Sequence, residues 1–259
     1  MKKLIIAMTC LLSLATAQAE EGFHRYEYPG YDDTPLISGY QYQVHQPDRP
    51  QPPRVIPNES SDKVGLLPPS DAIVLFDGSD LRSFKETTWQ VEDGRIIAGK
   101  QDLSTKATFG DCQLHIEWRA PNPPNGNEPN NMGNSGIFFM GRYELQIFDS
   151  YACKIYADGS AASIYGQTPP AVNACKRPGE WQSYDVIFTA PVFRDEKLVE
   201  EARITVLHNG VLVHNHTKIL GPTRHKSTLP YKPHAPRQSI DIQGHSSPVE
   251  FQNIWVREL

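Results

Sequence analysis

The residues of this chain whose types and spacing could do chemistry lie in one segment, residues 134–150. An apolar run followed by Met140-Gly141-Arg142 predicts a β-hairpin, because glycine accepts the positive φ of a tight turn. Side chains alternate along the return strand, so Glu144 and Gln146 share the face opposite its apolar side chains. A carboxylate beside an amide suits a groove that binds hydroxyl groups or a cation; the alternative is a satisfied polar pair on a half-solvated sheet. Because the other face is so apolar, we expect this strand near the middle of a sheet.

Three residues could take catalytic roles in such a groove. Glu144 is a natural general base, and His245, in a loop after a predicted strand, could transfer protons near neutral pH. Asp149 ends the hairpin, where it is either catalytic or a turn cap. The oxygens of Glu144, Gln146 and Asp149 could also hold a divalent cation such as Ca²⁺. The sequence requires no cofactor, and it contains no complete metal motif.

Further polar residues are candidates for holding a substrate. Glu117 and Arg119 share one face of another predicted strand, and the alternative for them is a structural ion pair. Asn134 and Ser135 open the hairpin and suit hydroxyl binding or a turn. The predicted substrate-binding residues are Gln146, Glu117, Arg119, Asn134, Ser135 and Gln243.

Residues 1–19 have the pattern of a cleavable signal peptide. Lys2 and Lys3 precede a short apolar stretch, and Ala17-Gln18-Ala19 is a small-x-small cleavage site. We expect cleavage near Ala19-Glu20 and a periplasmic or secreted protein. The apolar stretch is too short to span a membrane, and no later stretch could do so.

The net charge of the chain bears on its binding partners, and its cysteines bear on a possible disulfide. Removal of Lys2 and Lys3 would change the formal charge from −5 to −7, which makes nucleic acid an unsuitable partner. Cys153 and Cys175 flank a segment of loop length, and export would allow a disulfide between them. Cys112 would then remain as a small apolar strand residue. The oligomeric state is left open.

The order of predicted elements indicates an all-β sandwich of two antiparallel sheets. Many short strands follow one another without helical periodicity, and Asp93-Gly94 and Asn209-Gly210 are favoured hairpin turns. Residues 20–68, rich in Pro and Tyr, predict an extended N-terminal arm along the surface, and residues 69–259 form the sandwich domain. Residues 151–180 form a long irregular connection, a length that is typical of functional loops.

An ordered set of short motifs resembles the 3-keto-disaccharide hydrolase domain family over about residues 70–259. The resemblance implies a concanavalin A-like or laminin G-like jelly roll, an exported protein and chemistry on oxidised sugars. The matching motifs are Trp89-Gln90-Val91-Glu92-Asp93-Gly94, the strand 114–119, Asn134-Ser135-Gly136, the run 143–149, Ile164-Tyr165, Pro178-Gly179-Glu180-Trp181, Tyr184-Asp185, Asn209-Gly210-Val211, Gly221-Pro222-Thr223, Ile242-Gln243-Gly244-His245 and Phe251-Gln252-Asn253-Ile254-Trp255.

The resemblance gives the first of two functional hypotheses. In a 3-keto-glycoside the ketone acidifies the proton at carbon 2, so a base can remove it, the group at carbon 1 leaves, and water adds to the enone. Glu144 or His245 would act as base and acid, and Arg119 or a bound cation would hold the enolate oxygen. The alternative, from a different class, is a non-catalytic carbohydrate-binding or adhesive module, because this fold serves both purposes.

Overall fold

The computed structural model describes residues 26–58, 64–124 and 132–259. The predicted signal peptide lies outside the described residues. Within the described ranges the chain forms strands and one 3-10 turn, Ala157–Gly159, and no helix there is long and apolar enough to cross a membrane. The strands are β1 Tyr26–Glu27, β2 Ile73–Phe76, β3 Gln90–Glu92, β4 Arg95–Ile97, β5 Leu103–Ser104, β6 Cys112–Arg119, β7 Ser135–Phe139, β8 Tyr143–Ile147, β9 Cys153–Lys154, β10 Gln182–Thr189, β11 Val192–Arg194, β12 Lys197–Glu200, β13 Arg203–His208, β14 Val211–Lys218, β15 Asp241–Ile242 and β16 Glu250–Glu258.

Two antiparallel sheets make up the body of the protein. The larger one has eight strands in the order β14-β13-β10-β6-β16-β4-β3, with β2 also pairing with β16, and the smaller one has the order β5-β15-β7-β8. Core side chains join them: the rings of Phe139 in β7 and Phe188 in β10 stack at 4.7 Å. The Tyr184 hydroxyl in β10 also donates to the Gln146 carbonyl in β8 at 2.9 Å. The prediction of an all-β jelly-roll sandwich is confirmed.

The turn dipeptides form the hairpins expected of them. Asp93 and Gly94 have φ values of 47° and 77°, and Asn209 and Gly210 have φ values of 52° and 77°. Two successive residues with positive φ match the right-handed twist of the flanking strands. These turns fix the registers β3–β4 and β13–β14.

The prediction that residues 143–147 lie near the middle of a sheet is wrong. Strand β8 is the edge of the four-stranded sheet. Its outer side is covered by the long connection, where Gln146 N donates to Ser163 O and Ala162 N donates to Gln146 O, each at 2.9 Å. Because these bonds replace a further strand, every residue of β8 is buried even at an edge.

Residues 26–58 of the N-terminal arm pack along the same connection. Strand β1 pairs in parallel with β9, and Val55 N donates to Asn173 O at 2.9 Å. Val44 and His45 are fully buried, so the arm contributes to the interior as well as covering the surface.

The predicted disulfide between Cys153 and Cys175 is absent, because both residues are free, buried thiols, as is Cys112. The Cys175 sulfur has other partners: it accepts a hydrogen bond from Gln182 Nε2 at 3.3 Å and donates to Phe148 O at 3.8 Å. Cys153 is held by the pairing of its strand with β1. The long connection is therefore secured by backbone pairing and buried hydrogen bonds.

Candidate active site

A cleft of about 750 Å³ opens over the four-stranded sheet, between the N-terminal arm and the loop that follows residue 221. Its size is in the range of small-molecule sites. The residues from the sequence-based prediction that line this cleft are Asn134, Glu144, Gln146, Gln243 and His245. The structure thus brings together side chains from β8 and from the segments that precede β7 and follow β15.

Strand register explains why these side chains share one face. Gly136 lies opposite Gln146 and Phe138 lies opposite Glu144 across the β7–β8 pair. A Cβ added at Gly136 would come within 2.4 Å of Glu144 Oε1, so the glycine leaves the room that the carboxyl group occupies. Gln243 joins the same face because its N–H donates to Gly136 O at 2.8 Å.

Glu144 is fixed through its backbone, while no described residue donates a hydrogen bond to its carboxyl group. Its N–H donates to Thr223 Oγ1 at 3.1 Å, and its carbonyl accepts from Tyr165 N at 3.2 Å. The side chain is buried, and its carboxyl group accepts no hydrogen bond from the described part of the chain. Burial, reinforced by the charge of Asp102, raises the pKa of Glu144 to about 8. A carboxyl group in this state can take up a proton near neutral pH.

His245 lies in the loop after β15 and, like Glu144, is influenced by the charge of Asp102. Its Nδ1 accepts the Ser246 N–H at 3.0 Å, so the neutral ring carries its proton on Nε2. Burial lowers the pKa of His245, while Asp102 acts in the other direction. Asp102 also fixes this loop, because its Oδ1 accepts the Gly244 N–H at 3.0 Å. The cleft therefore holds a neutral imidazole that can donate a hydrogen bond from Nε2.

A hydrogen-bonded chain of side chains forms another wall of the cleft, and the sequence-based site prediction did not include it. The Tyr156 and Tyr165 hydroxyls lie 3.1 Å apart, and the Tyr165 hydroxyl lies 2.9 Å from His225 Nδ1. Burial raises the pKa of both tyrosines, and partial burial lowers that of His225. The tyrosines therefore stay protonated and His225 stays neutral, so Tyr165 can donate to Nδ1. The only signals in the sequence were the Ile164-Tyr165 motif and the basic loop that contains His225.

The arm closes one end of the cleft with residues 28–31. The Tyr31 ring meets His225 edge-on at 5.5 Å, and Lys226 Nζ lies 3.4 Å from the Tyr31 ring centroid. Arg224 adds a guanidinium group to the lining. The abundance of tyrosine in the arm is thus explained by aromatic packing beside the cleft.

Asp149 and Ser135 lie outside the cleft. Asp149 Oδ1 accepts the N–H groups of Tyr151 and Ala152 at 3.1 and 3.0 Å, which is the turn-cap alternative. Burial raises the pKa of Asp149 to about 6. The Ser135 hydroxyl is fully buried and donates to Gln243 O at 2.8 Å, so it fixes a cleft residue from behind.

Glu117 and Arg119 belong to the other sheet, and the prediction that they bind substrate in this site is wrong. Glu117 is fully buried in β6 and accepts hydrogen bonds from Gly65 N at 2.6 Å and Asn253 Nδ2 at 2.7 Å. Arg119 pairs with Glu250. Both residues have structural roles, although they do not pair with each other: Glu117 is held by hydrogen bonds and Arg119 by Glu250, so each charge is compensated within the protein.

The residues suggested for a divalent cation do not converge. Asp149 is outside the cleft, and Gln146 Oε1 already accepts the Ile147 N–H at 3.1 Å. Among the residues that the structure describes, no three His, Cys, Asp or Glu side chains are grouped as metal ligands. We therefore assign no cation ligands.

The fold and the cleft define a β-sandwich of the type found in carbohydrate-active enzymes, and comparison with known proteins specifies the family. The profile of the 3-keto-alpha-glucoside-1,2-lyase-like domain matches residues 71–257. The chain belongs to this family, as the sequence motifs predicted. Among curated proteins, no match was found.

Solved structures support the same assignment. A candidate glycosyl hydrolase from Parabacteroides distasonis, at 40% identity, covers 86% of this chain and 100% of its own length, with a TM-score of 0.72. A second candidate glycosyl hydrolase from that organism shares 20% identity and covers 73% and 99% of the two chains, with a TM-score of 0.54, which shows a common fold. Family and neighbours together indicate a carbohydrate-active hydrolase or lyase.

Proposed function

We propose that this protein acts on 3-keto-glycosides, or on the unsaturated sugars derived from them, with Glu144 as the general base. The observation that carries the proposal is a buried carboxyl group, donor-free within the described residues, whose pKa is raised to about 8 inside a cleft lined with polar side chains. A carboxylate in a plain sugar-binding groove would gain from hydrogen-bond donors. One that must take a proton from carbon works better without them.

The reaction begins with removal of the carbon-2 proton by Glu144, which gives an enolate at carbon 3. The carbon 1–oxygen bond then breaks, and the departing oxygen accepts a hydrogen bond from His245 Nε2 while it takes up the proton that Glu144 removed from carbon 2. Water then adds to carbon 1 of the enone and gives one proton to the ionised Glu144, and carbon 2 receives that proton from Glu144. The net change is hydrolysis, and the first two steps alone make a lyase.

The remaining cleft residues hold the sugar and its developing charge. Tyr165 has one hydroxyl proton, and it can turn that proton from His225 Nδ1 to the enolate oxygen when the sugar is bound. Gln146, Asn134 and Gln243 offer amides for the sugar hydroxyls. Arg224 takes the place that the sequence gave to Arg119, since it is the arginine in the cleft lining.

The test is to incubate the protein with a 3-keto-disaccharide and with the parent disaccharide in D₂O. We expect turnover of the keto sugar alone, with deuterium incorporated at carbon 2 faster than in an enzyme-free control. Binding of both sugars without turnover would instead favour the non-catalytic module. Cleavage of the parent sugar at an equal rate would exclude a mechanism that depends on the ketone.

A further inference from the structure

His45, in the N-terminal arm, is held in place by more contacts than packing alone requires. Its side chain is fully buried, and its Nδ1 lies 3.2 Å from Asp158 Oδ1. Its own N–H donates to Asp158 Oδ2 at 2.9 Å, and its carbonyl accepts from Tyr31 N at 2.9 Å. The residue adopts a φ of 58°, a left-handed conformation that a non-glycine residue keeps only where its surroundings impose it.

Asp158 is equally confined, in the 3-10 turn of the long connection. Its carboxylate is fully buried, with Oδ2 also 3.6 Å from the Arg49 guanidinium of the arm. Buried charges of this kind contribute little net stability, because desolvation offsets their attraction. A role in fixing a particular geometry explains the pair better than stability does.

The geometry that His45 fixes is that of the cleft wall. Its ring lies 4.0 Å from the Tyr156 ring, 4.9 Å from Tyr165 and 5.1 Å from His225, measured between centroids. These three residues form the hydrogen-bonded chain described above, whereas His45 itself is not in the cleft lining. His45 Nε2 is buried and has no hydrogen-bond partner among the described residues. The imidazole therefore acts on the cleft through the rings that it touches.

We propose that His45, oriented by Asp158, is a positioning residue that holds the Tyr156–Tyr165–His225 chain at the active site, and that the N-terminal arm is therefore a working part of that site. The proposal rests on the proposed function only for its kinetic consequence. His45 lies outside the segment matched by the family profile, which starts at residue 71, so the family assignment does not supply this role.

Two substitutions in the full chain separate the parts of the interaction. His45→Phe keeps a ring against Tyr156 and loses the hydrogen bond to Asp158, and His45→Asn keeps a donor near the Nδ1 position and loses the ring. The matched control is His115→Phe, which removes another buried histidine, 2.8 Å from Asp185 Oδ1 and stacked on Trp255, on the opposite sheet.

Two measurements are made on each variant. Steady-state turnover of a 3-keto-glycoside should show kcat lowered about tenfold or more in both His45 variants with KM within about twofold, since small displacements of positioned groups are costly. His115→Phe should lose thermal stability and keep kcat. Nuclear magnetic resonance of the His225 ring, without substrate, should show its titration moving to higher pH in His45→Phe, because His45 is one of the causes, after partial burial and with Lys226, that lower the pKa of His225. Tyr31 and Tyr165 also face this ring and are unchanged.

The outcomes are distinct. Parental kcat and an unmoved His225 titration in a folded His45→Phe would overturn the proposal. A loss of thermal stability without a loss of kcat, the result expected for His115→Phe, would overturn it as well. If His45→Phe does not fold, His45→Asn and Asp158→Asn, which keep size and polarity, decide by the same two measurements. If the parent protein turns over no keto sugar, the proposed function fails, and the resonance experiment still tests the positioning.

Discussion

Two buried glutamates, Glu117 in β6 and Glu144 in β8, occupy strands on opposite sheets, and their pKa values are shifted in opposite directions. Burial alone would raise the pKa of Glu117, but hydrogen bonds from His115, Gln252 and Asn253 lower it overall. Glu144 accepts no hydrogen bond from the described residues, so burial and Asp102 raise its pKa to about 8. Burial is common to both residues, and the supply of donors distinguishes a structural carboxylate from one suited to take a proton.

The substitution Glu144→Gln tests the reactive member of this comparison and should have the largest effect. It keeps shape and hydrogen-bonding reach but removes the proton acceptor. We expect kcat on a 3-keto-glycoside to fall at least about a hundredfold, the low end of general-base contributions, with the fold unchanged. Steady-state kinetics and a thermal melt measure this. Near-parental kcat in a folded variant would leave Glu144 as a binding residue and move attention to His245.

Glu117→Gln is the matched change on the other sheet. The substitution removes the buried carboxylate that lies 3.3 Å from His115 Nε2. We therefore expect the free energy of unfolding to fall by about 3 kcal/mol, the low end of the cost of breaking a buried pair. Denaturant unfolding measures this loss. The kcat of the remaining folded protein should equal that of the parent. A drop in kcat without a drop in stability would make the two glutamates functionally alike and break the comparison.

Gly136→Ala tests the comparison without substituting either glutamate, because it displaces the Glu144 side chain only. The added Cβ would lie 2.4 Å from Glu144 Oε1 and 2.9 Å from its Cγ, so the whole Glu144 side chain must move while the strands keep their pairing. We expect kcat to fall roughly tenfold because the base is displaced. The same change in the Glu144→Gln background should add nothing, since interacting sites are not additive. Equal losses in both backgrounds would mean that Gly136 acts independently of the base.

The smallest expected effect is in the pH dependence of stability, where the two glutamates should have opposite signs. Glu144 has a folded pKa of about 8, above its ordinary value of 4.5, so its contribution to stability is fully present at low pH and is lost as pH rises between those values. Relative to Glu144→Gln, the parent should therefore lose stability across this window. Glu117, with its lowered pKa, should lose its contribution as pH falls below 4.5. Denaturant unfolding at a series of pH values checks both signs, and parallel curves would contradict the assigned shifts.

The alternation of side chains along one predicted strand was enough to predict part of the site. It placed Glu144 and Gln146 on one face, and the turn dipeptides gave the hairpins that hold the sheets in register. The family motifs added Gln243 and His245, which reach the cleft through long-range pairing of β15 with β7.

The rest of the site depends on contacts between residues far apart in the chain. The sequence kept Glu117 among the substrate-binding candidates, because the donors that hold its carboxylate come from residue 65 and from β16 and leave no local pattern. Tyr165 and His225 are 60 residues apart, and no pattern in the sequence says that they meet. The edge position of β8 was missed because the connection that covers it has no strand periodicity.

The attachment of the arm to the cleft wall also bears on how the chain folds. His45 and Asp158 are 113 residues apart, and the central strands of the larger sheet, β6 and β16, pair over even longer separations, from Arg119 with Glu250 to Cys112 with Glu258. Contacts of such separation form slowly, because loop entropy must be spent before they close. The cleft wall and the centre of the larger sheet therefore share one requirement: neither can form until distant parts of the chain are both present.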